Sequence, residues 1–165
     1  MARIALLVAL VLAFALAVVI GVELFVAERL PELTPDELSA AEQLWAEKGP
    51  ASYDLDLVIE GAQPGVVHVE VRNRLTTAMQ RDGRTPTQQR VWDVWSVPGM
   101  FDTIERELDL AADPVHEMQT NANPNTRLDL RAAFDQEFGY PERFHRIVFG
   151  GGPEVYWRVT SFQPK

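Results

Sequence analysis

The chain contains no cysteine, and it has few basic side chains for its number of acidic ones. Without cysteine, disulfides, thiolate catalysis and cysteine-ligated zinc sites are all excluded, so a hydrophobic core alone must hold the fold. Fifteen Lys and Arg stand against 24 Asp and Glu, which gives a net charge of −9. Because nucleic-acid binding depends on neutralising phosphates with basic side chains, this charge argues against a nucleic-acid partner.

Sequence motifs of well-known chemistry are also absent. The chain has no Gly-x-Ser-x-Gly elbow, no Ser-x-x-Lys pair and no phosphate-binding glycine loop. Three histidines, His68, His116 and His145, lie far apart, and none has a second histidine at a metal-ligand spacing. The sequence therefore predicts no catalytic residue, no cofactor and no metal site, and we expect a protein that is not an enzyme.

One long apolar run is present near the N-terminus. It begins at Ile4, ends at Val22 and contains no polar side chain. A helix of about 19 residues is about 28 Å long, close to the ~30 Å hydrocarbon core of a bilayer. Residues 1–28 are therefore predicted to form a single transmembrane signal anchor. Arg3 precedes the run, so the positive-inside rule places the N-terminus in the cytoplasm and the following domain outside.

A cleaved signal peptide is the main alternative for the same run, and a buried helix of a soluble protein is a third. Residues 15–17, Ala-Leu-Ala, form a small-x-small cleavage site after an apolar core of suitable length. The run continues past this site to Val22, where a signal peptide usually becomes polar, and this favours a retained helix. Retained or cleaved, the segment exports a linker, residues 29–34, and a domain, residues 35–165.

The sequence from residue 34 onward predicts two helices. Thr34 as N-cap, Pro35 at the first helical position and Glu37 three residues after the cap predict a helix that ends at residues 49–50, Gly-Pro. A second helix is predicted to begin near Ser96 and to end at residues 113–114, Asp-Pro. Each has apolar residues at helical spacing on one side, so each is expected to pack against another element.

Alternating apolar and polar residues predict strands between and after these helices. The predicted strands cover residues 53–60, 67–72, 75–80, 128–134, 144–149 and 155–162, and a further short, edge-like strand covers residues 89–95. Residues 115–125 are predicted to form a loop. The pattern predicts an α+β fold: an antiparallel sheet with one buried face, one helix leading in and one helix packed on it.

Several residues in this order resemble a known family. They are Trp45 in the first helix, Tyr53 at the start of the first strand, the run Ser-Val-Pro-Gly-Met-Phe-Asp at 96–102 and the run Phe-Asp-Gln-Glu-Phe-Gly-Tyr-Pro at 134–141. The chain resembles small exported bacterial domains of unknown function, often lipoproteins, with a C-terminal Gly-Tyr-Pro signature. It departs from them in having no lipobox cysteine and in its last hairpin, which carries glycines. The resemblance implies a location in the bacterial cell envelope but no catalytic residues.

Two pairs of residues are candidates for an interaction surface. Asp54 and Asp56 lie two positions apart, so a strand places both carboxylates on one face. A solvated face is the simplest interpretation, although with Glu60 the pair forms an acidic strip suited to a basic partner. Trp92 and Trp95 would face opposite sides of the predicted strand, which would leave at least one exposed. Core packing is the favoured interpretation for them.

Two further features have a structural interpretation. Residues 121–125 and Asp129 offer oxygen ligands, but their spacing does not match a calcium loop, so a polar loop is the favoured interpretation. Tyr140 lies between Gly139 and Pro141, and its ring is expected to pack on the sheet.

We expect a membrane-anchored extracytoplasmic domain that binds a protein or another envelope component. The alternative is a small-ligand-binding module with a hydrophobic pocket between helix and sheet, lined by residues such as Met100, Ile104 and Trp157. Both are functions of binding rather than of catalysis.

Overall fold

The computed structural model describes residues 30–112 and 127–165, and the described residues from 31 onward belong to one compact unit. The described elements are α1 (Pro35–Lys48), β1 (Tyr53–Gly61), β2 (Gly65–Arg72), β3 (Leu75–Arg81), α2 (Arg90–Asp93), α3 (Val97–Ala112), β4 (Arg127–Phe134), β5 (Pro141–Phe149) and β6 (Val155–Pro164). Within these ranges no helix is both long and apolar enough to cross a bilayer. The predicted transmembrane helix from Ile4 to Val22 and the predicted loop at 115–125 lie outside the described residues.

The strands form one six-stranded sheet in the order β3-β2-β1-β6-β5-β4. Every neighbouring pair is antiparallel, and the central pair joins β1 to β6. The predicted α+β class with an antiparallel sheet is therefore confirmed. A bulge between Asp56 and Leu57 shifts the register of β1 against β6.

One face of the sheet is buried beneath the helices. Residues at every second position of β1 and β2 face this core, because successive side chains of a strand point to opposite sides. Side chains from α1 and α3 complete it. The fully buried members with the largest side chains are Trp157, Tyr53, Phe144, Leu55, Leu57, Met79, Met100 and Ile104.

Helix α1 begins at the capping box that the sequence predicts. The Thr34 side chain accepts a hydrogen bond from the backbone N–H of Glu37 at 3.2 Å, and the Glu37 carboxylate accepts one from the backbone N–H of Thr34 at 3.0 Å. Two of the N–H groups that a helix start leaves without partners are thereby satisfied. Leu38 and Ala41 are the buried residues of this helix.

Residues 89–95 form no strand, so the prediction of an edge strand there is wrong. Arg90–Asp93 is one helical turn, α2, and the backbone N–H groups of Val91 and Trp92 bond to carbonyls three positions earlier. The Trp92 indole N–H also donates to the carbonyl of Pro86 at 3.0 Å. Local bonds thus satisfy this backbone without a neighbouring strand. The Val and Trp residues of the segment have a high strand propensity, which depends on such a neighbour.

Helix α3 begins where predicted, and two side chains satisfy its first turn. The Ser96 hydroxyl accepts a hydrogen bond from the N–H of Gly99 at 3.3 Å, as an N-cap does. The Tyr53 hydroxyl accepts one from the N–H of Val97 at 2.9 Å, and this bond is buried. Tyr53 thereby connects the first residue of β1 to the first residue of α3.

The segment between β4 and β5 packs closely on α1. Gly139 has a φ of +84°, and a Cβ placed there would lie 2.5 Å from the carbonyl oxygen of Ala41. Only glycine both adopts this positive φ readily and leaves room for the Ala41 carbonyl oxygen. The Tyr140 ring stacks on Phe162 of β6, with centroids 4.4 Å apart, as predicted for packing on the sheet.

Candidate functional site

The face of the sheet opposite the helices, called here the open face, is the first candidate surface of the described chain. Strand alternation and register place the following side chains on it: Asp54, Asp56 and Val58 of β1, Val66, His68, Glu70 and Arg72 of β2, Leu75 of β3, Asp129 and Arg131 of β4, Arg143, His145, Ile147 and Phe149 of β5, and Tyr156 and Arg158 of β6. None of these residues is fully buried. Within the described ranges, solvent therefore reaches part of each of these side chains.

The candidate residues Asp54 and Asp56 lie side by side on the open face, as predicted, but both carboxylates are paired. Asp54 lies 2.9 Å from the Lys165 ammonium and 2.6 Å from Arg72 Nη2. The Arg72 contact is an ion pair that lacks the alignment of a hydrogen bond. Asp56 Oδ1 lies 2.7 Å from Nδ1 of His68. Two of the three carboxylates of the predicted acidic strip thus have partners within the domain.

These contacts favour the ionised form of Asp54. The hydrogen bond from Lys165 lowers the pKa of the Asp54 carboxyl most strongly, burial opposes this, and the contact with Arg72 lowers the pKa further. A carboxylate held in this way accepts a proton less readily than usual, which makes it a poor general acid. The geometry assigns Asp54 a structural role.

Large apolar side chains are exposed on the open face. Of the four such side chains in the described ranges, three lie there: Val66 is 54 % exposed, Leu75 70 % and Phe149 49 %. The Phe149 ring also lies 5.7 Å from the Arg127 guanidinium carbon, within the range of a cation–π contact. Val66 and Leu75 lie at opposite ends of the β2–β3 pair and Phe149 lies on β5, so the three are separate exposed apolar groups among charged side chains rather than one contiguous patch.

A small apolar pocket lies between α3 and the strands β5 and β6. Its volume is about 200 Å³, and its walls include Met100, Phe144 and Trp157. Of the three residues predicted to line such a pocket, Met100 and Trp157 do so. Ile104 packs in the same core but does not contribute to the pocket wall. At the rim, Arg146 Nε donates to the Glu107 carboxylate at 2.7 Å.

The two candidate tryptophans are both half-buried and pack against the core. Trp95 also lines the pocket beside Val94, which is the fourth exposed large apolar residue. Trp92 is held by its bond to Pro86. Because the segment is not a strand, the two rings do not take the opposite faces that the sequence predicts.

A wider hollow of about 280 Å³ lies where the end of α1 meets the start of α3. Trp45, Tyr53, Arg74 and Ser96 contribute to its walls. The hydroxyl groups of Tyr53 and Ser96 are both engaged with the backbone of the first turn of α3. Both hydroxyl groups therefore stabilise the first turn of α3.

Each of the described histidines contacts a carboxylate. His68 contacts Asp56, and Nε2 of His145 lies 2.5 Å from Glu154. Within residues 30–112 and 127–165, no three His, Asp or Glu side chains gather as metal ligands would. His116 and residues 121–125 lie outside these ranges.

Sequence reasoning did not single out the arginines of β5 and β6. Arg143 and Arg158 face each other across these strands, and Arg146 closes the rim of the pocket. The alternation of Arg143 with Phe144 places the arginine on a polar face. No local sequence pattern gives the register of β5 against β6, which places Arg158 opposite Arg143.

No protein-family model matches this chain, and neither a curated protein nor a solved structure is significantly similar to it. The family resemblance carried by residues 134–141 stays a prediction. The site must therefore be interpreted from its own geometry.

Proposed function

We propose that the protein is a membrane-anchored extracytoplasmic domain that binds another protein of the cell envelope without catalysing a reaction. The observation that supports this proposal best is the open face, where Val66, Leu75 and Phe149 are exposed among charged side chains. Burial of such apolar area is the main driving force of protein association, and surrounding charges select the partner. In this proposal the N-terminal segment anchors the domain at the membrane.

Site-specific photo-crosslinking in cells tests the interaction. A photoreactive amino acid replaces Val66 or Phe149 on the open face of the full-length chain, and the matched control places it at the exposed Arg106 of α3. We expect the same discrete crosslinked partner from both open-face positions and none from position 106. An identical product pattern at all three positions, or no product from the open face, would refute binding through this face.

The proposed topology has its own test. A reporter enzyme that works only outside the cytoplasm, fused after Lys165, should be active if the positive-inside prediction is right. Activity of a cytoplasm-specific reporter at the same position would contradict it. This measurement does not depend on whether a partner is found.

A small-ligand-binding module is the second candidate, and the apolar pocket supports it. Its volume of about 200 Å³ lies below the ~300–1,000 Å³ of typical ligand pockets but exceeds the ~150 Å³ cavity that holds benzene in an engineered lysozyme. A ligand of one aromatic ring would fit. Indole added to the full-length protein should then protect it against thermal unfolding. Thr103→Phe, which fills the pocket, should abolish that protection, and protection that persists in Thr103→Phe would exclude this site.

A further inference from the structure

Arg143 and Arg158 form a like-charged pair in the middle of the open face. They are directly opposite each other on β5 and β6, one position away from the buried pair of Phe144 and Trp157. Opposite residues of neighbouring strands have Cβ atoms about 5 Å apart, and like charges at this distance repel. A purely structural site would be expected to hold an acidic residue at one of the two positions.

Neither arginine has a counterion within 4 Å among the described residues. The other arginines of the open face do have a partner: Arg72 lies beside Asp54 and Arg131 beside Asp129. In a chain with a large excess of carboxylates, two adjacent arginines without one are unusual.

The surroundings of the pair provide no acceptor either. The Nε atom of Arg143 is buried and has no hydrogen-bond partner in the described chain. In the same row of the sheet, Ala133 lies across from Arg143 on β4, and Val58 lies across from Arg158 on β1. Arg158 is exposed whereas Arg143 is partly buried, so an anion bound at Arg143 Nε would be partly removed from water and would interact there more strongly than in bulk solvent.

Resting on the proposed function, we propose that Arg143 and Arg158 bind a carboxylate from an acidic segment of the partner protein. The guanidinium group carries a planar fork of N–H donors that matches a carboxylate, and two such groups side by side can hold both of its oxygens. The anion would supply the missing acceptor for Arg143 Nε and would relieve the repulsion between the pair. Binding of the carboxylate would thus lower the electrostatic free energy of the arginine pair.

Two observations favour a protein carboxylate over other anions. Phosphate sites commonly use clusters of free backbone N–H groups, whereas the backbone around both arginines lies in interior strands that are paired on either side. The net charge of −9 repels extended polyanions such as nucleic acid or an anionic bilayer. A short acidic segment interacts mainly with the charges close to the two arginines. The exposed apolar residues of the open face can contact the residues that flank this segment.

NMR titration of the arginine Nε–Hε resonances of the full-length protein tests this proposal. The probe is the peptide Ac-Glu-Glu-Glu-Glu-NH2, and its neutral counterpart is Ac-Gln-Gln-Gln-Gln-NH2. We expect saturable shifts of the Arg143 and Arg158 signals with the acidic peptide only, and at least tenfold weaker binding in Arg143→Gln and in Arg158→Gln. Arg106→Gln, which removes the same charge from the exposed side of α3, should leave the affinity unchanged.

The thermal midpoint of each variant distinguishes a binding role from a structural role, because the two roles predict shifts in opposite directions. Since each glutamine substitution removes a like-charge contact, the midpoint should stay the same or rise. A lower midpoint would assign the pair a structural role and overturn the proposal. Equal loss of binding in all three variants would show only a general charge effect and would also overturn it. Equal binding of inorganic phosphate would overturn the assignment to a carboxylate.

The crosslinking experiment separates this inference from the proposed function. If a partner is recovered from the open face of the parent and equally from Arg158→Gln, the carboxylate site is wrong while the function stands. If no partner is recovered, the function fails whatever the peptide does.

Discussion

Replacing Tyr53 with Phe should destabilise the domain through a single lost hydrogen bond. The Tyr53 hydroxyl accepts from the N–H of Val97 at 2.9 Å, and both residues are essentially inaccessible, at 2 % and 0 % exposed. Phenylalanine keeps the ring and its edge contact with Trp45, whose centroid lies 5.5 Å away. The substitution therefore leaves the Val97 N–H buried without an acceptor and changes little else.

The size of the effect follows from that unsatisfied group. A buried donor without a partner costs about 1–3 kcal/mol, and the greater hydrophobicity of phenylalanine offsets part of it, so we expect a loss of about 1.5 kcal/mol. For a domain of this size, that corresponds to a drop of roughly 6 °C in the melting temperature.

Urea and thermal unfolding of the full-length protein in mild detergent measure this loss. Tyr140→Phe is the matched control, because it also removes one hydroxyl, has no side-chain hydrogen bond in the described structure and retains its stacking on Phe162. A loss below about 0.5 kcal/mol in Tyr53→Phe, or an equal loss in both variants, would refute the reasoning.

Alkaline pH provides a second measurement on the same residue. Burial raises the pKa of Tyr53 to about 12, and the bond from Val97 acts in the opposite direction. A group whose pKa is raised by folding contributes stability that is complete below its unfolded pKa, near 10, and is lost as the pH rises towards 12. Tyr53→Phe should therefore lose less stability between pH 10 and 12 than the parent protein. An identical loss in both proteins would show that folding does not raise the pKa of Tyr53.

Three further substitutions test other contacts. Asp54→Asn should cost about 1 kcal/mol at pH 7. Because folding lowers the pKa of Asp54, the difference should start to shrink as the pH falls below about 4 and should keep shrinking towards pH 2; a difference of constant size between pH 7 and pH 2 would contradict this. Burial, with the nearby carboxylates of α3, raises the pKa of Glu42. In unfolding experiments, Glu42→Gln should therefore stabilise the domain by about 0.5 kcal/mol at pH 7 but not below pH 4. The control Glu47→Gln, on the exposed side of α1, should change the stability little. Gly139→Ala should cost about 3 kcal/mol, because the methyl group meets the Ala41 carbonyl at a positive φ; a midpoint within a few degrees of the parent would exclude that clash.

Local sequence signals were sufficient for most elements of the fold. The capping box at Thr34 and Glu37 is satisfied within four residues, so no distant contact can override it. Tyr53, Leu55 and Leu57 alternate clearly because one side of β1 is buried and the other is not. The failure at Trp92 has the opposite cause. Its strand-like residues lie in a segment whose backbone is satisfied by its own turns.

The candidate site was less accessible to sequence reasoning, because it depends on pairings between distant strands. Asp54 and Asp56 were expected on one face, and they lie there. Their partners Arg72 and His68 follow only from the register of the first hairpin. Arg143 and Arg158 meet through β5 and β6, where the hairpin glycines leave several registers open.

The pairing of β1 with β6 also constrains how the domain can reach its folded state. Thr160 and Asp56 are joined by a hydrogen bond although they lie 104 positions apart in the chain. Closing so long a loop is entropically costly and slow, and the central strand pair of the sheet forms only when this loop closes. If the domain is translocated starting from its N-terminal end, β1 to β3 emerge as a meander in which β1 lacks its second neighbour until β6 follows. Folding would then be a single late event after translocation, and until then the strand edge of β1 would need protection from aggregation.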